Sequence, residues 1–253
     1  MTGARFPDLA GASVLVTGGG SGIGAALVEG FAEQGAKVAF LDILDSAAFA
    51  EGVAARTGAE VLFLPCDLTD IAALDAAIDR AAAAHGPPRA LVNNAANDLR
   101  HDVATVTPEE WDAAIAVNLR PVLFASRKAA ATMPPGGSIV SYTSISQHLG
   151  MPDLAPYVAA KAGIIGLTRS LARAFGPRGI RANAIAPGWV MTEKQRHLWV
   201  TPEGLAEFLT RQALAQEVMP EDMVGPTLFL ASSASRMVTG QVLAVDAGVV
   251  ALG

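Results

Sequence analysis

Three uninterrupted apolar runs appear early in the chain: Val14-Leu15-Val16, Val38-Ala39-Phe40-Leu41 and Val61-Leu62-Phe63-Leu64. Alternating apolar and polar residues would mark strands with one wet face. Continuous runs mark strands covered on both faces, the situation of a parallel sheet. Seven strands are expected, at Ser13–Thr17, Lys37–Leu41, Glu60–Leu64, Ala90–Asn93, Ser138–Tyr142, Arg181–Ile185 and Gln241–Val245. Helical patterns lie between them, near 22–34, 46–56, 70–84, 108–132, 156–175, 203–214 and 221–231. This alternation predicts an α/β fold, a Rossmann-type doubly wound, seven-stranded parallel sheet with helices on both faces.

Several element boundaries have a local cause. Thr107-Pro108-Glu109-Glu110 reads as a capping box with Pro at the first helical position, and Thr201-Pro202-Glu203 repeats that start. Gly176-Pro177 is expected to end the long helix before it. Pro121 has no amide for the carbonyl of Val117, so a kink is expected within 108–132. The least regular stretch is 188–202, and a loop of that length in a compact domain reads as a binding lid.

With 253 residues and no linker or low-complexity tract, the chain is read as one domain over 1–253. A cofactor half is expected to about 135 and a catalytic, substrate half after it. A net charge of −6 without a basic run excludes a nucleic-acid surface. A single cysteine, Cys66, allows no internal disulfide and points to a reducing compartment. The amino-terminal residues lack a signal-peptide layout, and no uncharged stretch approaches the roughly 20 residues of a membrane span. A cytoplasmic protein with no membrane partner is therefore expected. No Cys/His cluster offers itself to a metal.

Thr17-Gly18-Gly19-Gly20-Ser21-Gly22-Ile23-Gly24 follows the first strand and opens the first helix. Backbone amides at a helix start, with glycines that permit close approach, suit a pyrophosphate. The spacing Gly-x-x-x-Gly-x-Gly is weak evidence alone, and its strand–turn–helix setting makes it a dinucleotide loop. Asp42 ends the second strand about 20 residues beyond it, where a carboxylate accepts bonds from an adenosine ribose and repels a 2′-phosphate. NAD is thereby favoured over NADP. Asp67, after the third strand, reads either as an adenine contact or as a turn residue before Thr69. Cys66 reads as a small buried hydrophobe.

Tyr157 and Lys161 lie at i and i+4 and share a helical face. A tyrosine titrates near 10, and an adjacent ammonium is expected to lower that value toward a useful base. Ser144 follows the fifth strand, at the edge where such sheets bind ligands, and its hydroxyl can polarise a substrate oxygen. The other tyrosine, Tyr142, lies within a strand and is read as core.

Together these residues resemble the classical short-chain dehydrogenase/reductase family over almost the whole chain. The resemblance rests on Thr17–Gly24, on Asn93-Asn94-Ala95-Ala96 where the family more often has Asn-Asn-Ala-Gly, on Asn118, Ser144, Tyr157 and Lys161, and on Pro187-Gly188. It implies that Tyr157 is the acid/base, that Ser144 orients the substrate and that Lys161 lowers the Tyr157 pKa and binds the nicotinamide ribose. It implies a water held by the main chain of Asn118. The implied cofactor contacts are Gly18, Ser21, Gly22, Ile23, Gly24, Asp42, Asp67, Leu68, Asn94, Tyr157, Lys161, Pro187, Gly188, Val190 and Thr192.

A narrower resemblance, to the sugar-oxidising members, rests on Ser144–Gly150, Pro187–Gln195, Leu198–Gly204 and Asn97–His101. Those members take aldoses such as xylose, arabinose, galactose or rhamnose to the aldonolactone. The implied substrate contacts are Ser144, Ser146, Gln147, Tyr157 and Trp189, with His148, Lys194 and Gln195 flanking; His101, Arg196 and His197 read as surface. The same resemblance implies a homotetramer, with contacts along 108–132, 156–175 and the last strand. Two other readings stand beside it: a 3-oxoacyl thioester reductase or other secondary-alcohol dehydrogenase, and a catalytically silent NAD-binding protein.

Overall fold

The structure, a computed structural model, describes residues 3–250. Seven strands form one sheet: β1 Ser13–Thr17, β2 Lys37–Asp42, β3 Val61–Pro65, β4 Ala90–Asn93, β5 Ser138–Tyr142, β6 Arg181–Pro187 and β7 Val242–Val245. Their order is β3-β2-β1-β4-β5-β6-β7, and every neighbouring pair is parallel. The chain winds outward from β1 to β3, then returns to pair β4 with β1, which opens a crevice at their carboxyl ends.

The helices are α1 Gly22–Glu33, α2 Ala47–Thr57, α3 Ile71–His85, α4 Pro108–Asn118, α5 Arg120–Thr132, α6 Ser146–Leu149, α7 Ala155–Phe175, α8 Glu193–Leu198, α9 Pro202–Leu209 and α10 Val224–Ala231. The continuous apolar runs are explained by two cores. Val14, Val16, Val38 and Phe40 face one core with Leu27, Val28 and Phe31 of α1, Val53 of α2 and Leu228 of α10. Leu15, Ala39 and Leu41 face the other with Leu74 and Ile78 of α3, Ala125 and Ala129 of α5 and Leu171 of α7. Successive side chains of one strand thus enter opposite cores. Fully buried Phe31 and Phe40 each contribute roughly 1.5–3 kcal/mol of transfer free energy.

Several expected boundaries are corrected. The single kinked helix over 108–132 is two helices, broken at Leu119 (φ −125°, ψ −51°), with Pro121 in the first turn of α5. The Val122 amide takes the Leu119 carbonyl, 3.1 Å away, rather than that of Asn118. The loop expected over 188–202 contains α8, capped by Thr192, whose side chain accepts from the Gln195 amide. α9 stops at Leu209, and the segment expected as 221–231 begins as a 3-10 turn, Pro220–Met223. α7 does end at Gly176-Pro177, as expected, with Gly176 as its C-cap; a separate 3-10 turn then runs to Arg178, and Gly179 follows at φ +74°. The two caps at Thr107 and Thr201 form as expected.

Candidate active site

The β1–α1 turn is wound too tightly for side chains. A Cβ on Gly24 would lie 1.8 Å from the Gly18 carbonyl oxygen, and one on Gly18 would lie 2.7 Å from Ala95 Cα. Asn94 braces the same turn: its Nδ2 donates to the carbonyls of Thr17 (3.2 Å) and Gly18 (2.8 Å). Asp42 stands at the end of β2, and its two oxygens accept from the amides of Gly20 (2.8 Å) and Leu44 (3.1 Å). Ser21, at the N-cap of α1, makes no side-chain cap bond. The result is a side-chain-free cradle on a helix N-terminus, rimmed by a carboxylate, which fits a dinucleotide. Thr192 reaches over from the far side, its Cγ2 being 3.0 Å from where a Gly22 Cβ would stand.

Around the cradle the other expected cofactor positions differ in character. Ile23 and Val190 pack into the α1-side core, and Leu68 buries its side chain in the opposite one. Asp67 is a turn residue by geometry: its Oδ1 accepts from the Thr69 amide (2.8 Å) and hydroxyl (2.7 Å), which holds it below the usual carboxylate range. Pro187 closes β6, and the Gly188 amide donates to Val245 at 2.9 Å with Asp246 packed where a Cβ would go. Cys66 is buried in the α3-side core, and burial raises its thiol pKa.

Tyr157 and Lys161 lie in the first turns of α7, with the Lys161 Nζ 5.4 Å from the Tyr157 ring centroid. Lys161 is 2% exposed; its Nζ donates to the Tyr142 carbonyl at 2.8 Å, and burial lowers its pKa to about 8 against the opposing charge of Asp98. Burial raises the Tyr157 phenol above its ordinary value, Asp98 pushes the same way, and the Ser144 hydroxyl opposes both. The Lys161 ammonium is desolvated and turned to the Tyr142 carbonyl. Tyr157 keeps partial contact with solvent, which tempers the shift without reversing it.

Ser144 follows β5, and its Oγ accepts from the Ser146 amide at 3.0 Å. Ser146 is itself buried, and its Oγ has no hydrogen-bond partner among the described residues. Gln147 accepts from the Thr143 hydroxyl at 3.0 Å, which leaves its amide nitrogen beside the exposed His148. Tyr142 is core, as expected, with its hydroxyl 2.7 Å from that of Thr227. Asn118 is fully buried at the end of α4. Its side chain accepts from the Asn97 amide (2.9 Å) and donates to the carbonyls of Asn97 (2.9 Å) and Ala114 (3.0 Å).

A residue without a role in the sequence reading stands at the centre. Asp98 accepts from Lys194 Nζ at 2.6 Å and from Gln195 Nε2 at 2.5 Å. Gln195 in turn accepts from the Trp189 indole at 2.9 Å, and Trp189 stacks edge-on against Phe208. Arg100 pairs with Asp153 and lies 4.1 Å over the Trp199 ring. His101, expected at the surface, is half-buried, whereas Arg196 and His197 are exposed. No local pattern announces Asp98, because its partners are about a hundred residues distant. The start of α8 did carry a signal: Thr192-Glu193-Lys194-Gln195 has the capping-box spacing.

A doubly wound sheet, a glycine cradle and a Ser144/Tyr157/Lys161 grouping beside it define a nucleotide-dependent oxidoreductase class. Residues 18–250 match a family model described as "Enoyl-(Acyl carrier protein) reductase". The chain is 51% identical over 249 residues to "Probable galactose dehydrogenase GalD" of Rhizobium meliloti (strain 1021), covering 97% of each. It is 45% identical over 251 residues to D-xylose 1-dehydrogenase of Caulobacter vibrioides, covering 98% of this chain and 99% of that protein. A short chain dehydrogenase from Burkholderia cenocepacia J2315, solved in complex with NADP, superposes with a TM-score of 0.88 at 34% identity, covering 95% of this chain and 98% of that one. The chain belongs to the short-chain dehydrogenase/reductase family, whose dehydrogenases bind NAD(P). No helix among the described residues is long and apolar enough to cross a membrane.

Proposed function

We propose that this protein is an NAD-dependent aldose 1-dehydrogenase that oxidises the C1 hydroxyl of a cyclic aldose to the aldonolactone. The observation that carries the reading is its near full-length similarity to galactose and D-xylose dehydrogenases. In this reading Ser21, Gly22, Ile23 and Gly24 hold the pyrophosphate with main-chain amides, Gly18, whose own amide donates to the Leu41 carbonyl, lets the cofactor approach closely, and Asp67, Leu68 and Asn94 line the adenosine side. Pro187, Gly188, Val190 and Thr192 line the nicotinamide side. Asp42 favours NAD: a carboxylate held by two amides has lone pairs left for ribose hydroxyls and repels a 2′-phosphate. When bound, NAD supplies the acceptor for the two electrons and the hydrogen that leave C1.

The chain's own residues handle the proton. Tyr157, as phenolate, takes it from the anomeric hydroxyl, while Ser144 donates a hydrogen bond to that oxygen as it gains carbonyl character. Lys161 stabilises the phenolate and binds the nicotinamide ribose. The break at Leu119 turns main-chain carbonyls of Val117 and Asn118 away from helical partners, which suits a water held in a proton relay. Ser146 and Gln147 offer polar groups to the sugar hydroxyls, and Trp189 offers an indole to its apolar face.

We further propose a cytoplasmic homotetramer of one domain per subunit. Exposed Trp111, Leu123 and Leu243, on α4, α5 and β7, supply apolar contact surface. The description of the matching family model favours a second reading, an acyl-thioester reductase; the polar Lys194 and Gln195 on α8 and the carboxylate at Asp42 weigh against it. One experiment separates these readings. Pentoses, hexoses, deoxyhexoses, 3-oxoacyl thioesters and 2-enoyl thioesters are supplied with NAD(H) and NADP(H), and the reduced cofactor is followed by absorbance. Turnover of an aldose with NAD is expected, and Tyr157→Phe lowers kcat by about 10²–10⁴-fold while NAD binding persists. Acyl-thioester turnover without aldose turnover would overturn the reading, and NAD binding with no turnover of any of these substrates would leave a silent binding protein.

A further inference from the structure

Three segments distant in sequence meet at one carboxylate. Asn118 fixes the main chain of Asn97 from both sides, through its amide and its carbonyl. The next residue, Asp98, carries its side chain to helix α8, where one oxygen takes Lys194 and the other takes Gln195. Gln195 then holds the Trp189 indole. Both carboxylate oxygens are thus spent on α8, and the pair is only a quarter exposed on the Asp98 side. An exposed ion pair on a short helix would contribute little, but two charge-assisted bonds to one partly buried carboxylate are the stronger kind.

We propose that Asp98 is a positioning residue: it latches α8 onto the loop after β4 and so holds Trp189 and Gln195 over the cleft that contains Tyr157. The six-residue α8 cannot hold itself in place. It is too short to be stable alone, and none of its residues is buried. Its attachments to the rest of the chain are polar: the bonds to Asp98, the Thr192 cap, and Arg196 with Glu217 near the segment's other side. Asp98 also lies close enough to the reacting groups for its charge to act on both Tyr157 and Lys161, which places the latch at the cleft wall. When the latch is made, the indole and the amide of Gln195 have one orientation. When it is released, Gln195 and the indole bonded to it lose that tether, and the Trp189–Phe208 contact remains.

The latch itself is tested without any substrate; only its kinetic consequence rests on the aldose reading. Amide hydrogen exchange is measured on the full-length protein and on Asp98→Ala. Protection over 193–198 is expected to fall by about tenfold or more, the worth of one charge-assisted hydrogen bond, with α4 and the sheet unchanged. Unchanged exchange at 193–198 would overturn the proposal. If Asp98→Ala accelerates exchange everywhere, Lys194→Ala decides: local acceleration at 193–198 supports the latch and none overturns it. In the variant with local acceleration, KM for the aldose rises by about tenfold while kcat falls less. An aldose KM equal to that of the unaltered protein would overturn the positioning role. Absence of aldose turnover by the unaltered protein would remove the proposed function, and the exchange result would still judge the latch.

Discussion

Replacing Gly24 by Ala should damage both the fold and dinucleotide binding, by an amount that the geometry bounds. The added Cβ would stand 1.8 Å from the Gly18 carbonyl oxygen, at least about 1.6 Å inside ordinary contact, and 2.7 Å from Asn94 Nδ2. Neither neighbour can yield cheaply. The Gly18 carbonyl is bonded to Asn94, and Gly18 itself packs against Ala95. Overpacking of this kind costs about 1–3 kcal/mol, and loss of the Asn94 bond adds about 1 kcal/mol. For a chain of this length that corresponds to a fall in Tm of roughly 5–15 °C. The matched control is Gly52→Ala in α2, where only the flexible end of Arg56 lies near the new methyl. That change should stabilise by about 0.5–1 kcal/mol through helix propensity. Thermal unfolding of both variants, with NAD titrated by calorimetry, checks the pair. A Gly24→Ala protein with unaltered Tm and NAD affinity would refute the claim that the cradle has no room for a side chain.

Asp42→Ala should shift the ratio of kcat/KM for NAD over NADP by about tenfold or more toward NADP, because it removes the charge facing the 2′ position; steady-state kinetics with each cofactor reads the ratio, and an unchanged ratio denies Asp42 that role. The pH dependence follows from the Tyr157/Lys161 pair. A phenol raised by burial beside a lysine lowered to about 8 loses its first proton as a pair, whichever of the two sites gives it up. Only the phenolate–ammonium form supplies a base, and its share of the singly deprotonated pair is fixed, so kcat/KM for aldose oxidation should rise with pH to an apparent pKa near about 8 and then level off. A rate that falls between pH 7 and 8.5 would contradict this sign.

The parts of the fold legible in the sequence are those with a local cause. Strands buried on both faces must be apolar at successive positions, so Val38-Ala39-Phe40-Leu41 declares itself, and the structure splits its side chains between two cores. The Thr107 cap is equally local, since both of its hydrogen bonds close within three residues. The break between α4 and α5 is different. Pro121 shows that an amide is missing, but a helix with one missing bond can bend or stop. The last residue of α4, Asn118, is tied to Asn97, 21 positions back, and that contact is invisible in the local pattern.

The candidate site divides in the same way, and for a reason that concerns charge more than packing. Tyr157 and Lys161 are visible as a pair because the helix period alone puts them together. Their titration is not, since it depends on what surrounds them. Burial acts on both groups, the charge of Asp98 reaches both, and the Lys161 ammonium faces the Tyr142 carbonyl. Asp98 reaches its place because the loop after β4 and helix α8 both stand at the carboxyl edge of the sheet, on strands that are not sequence neighbours. A helix face can therefore nominate an acid/base pair, but the working pKa is set first by burial and then by a carboxylate that only the strand order brings within reach.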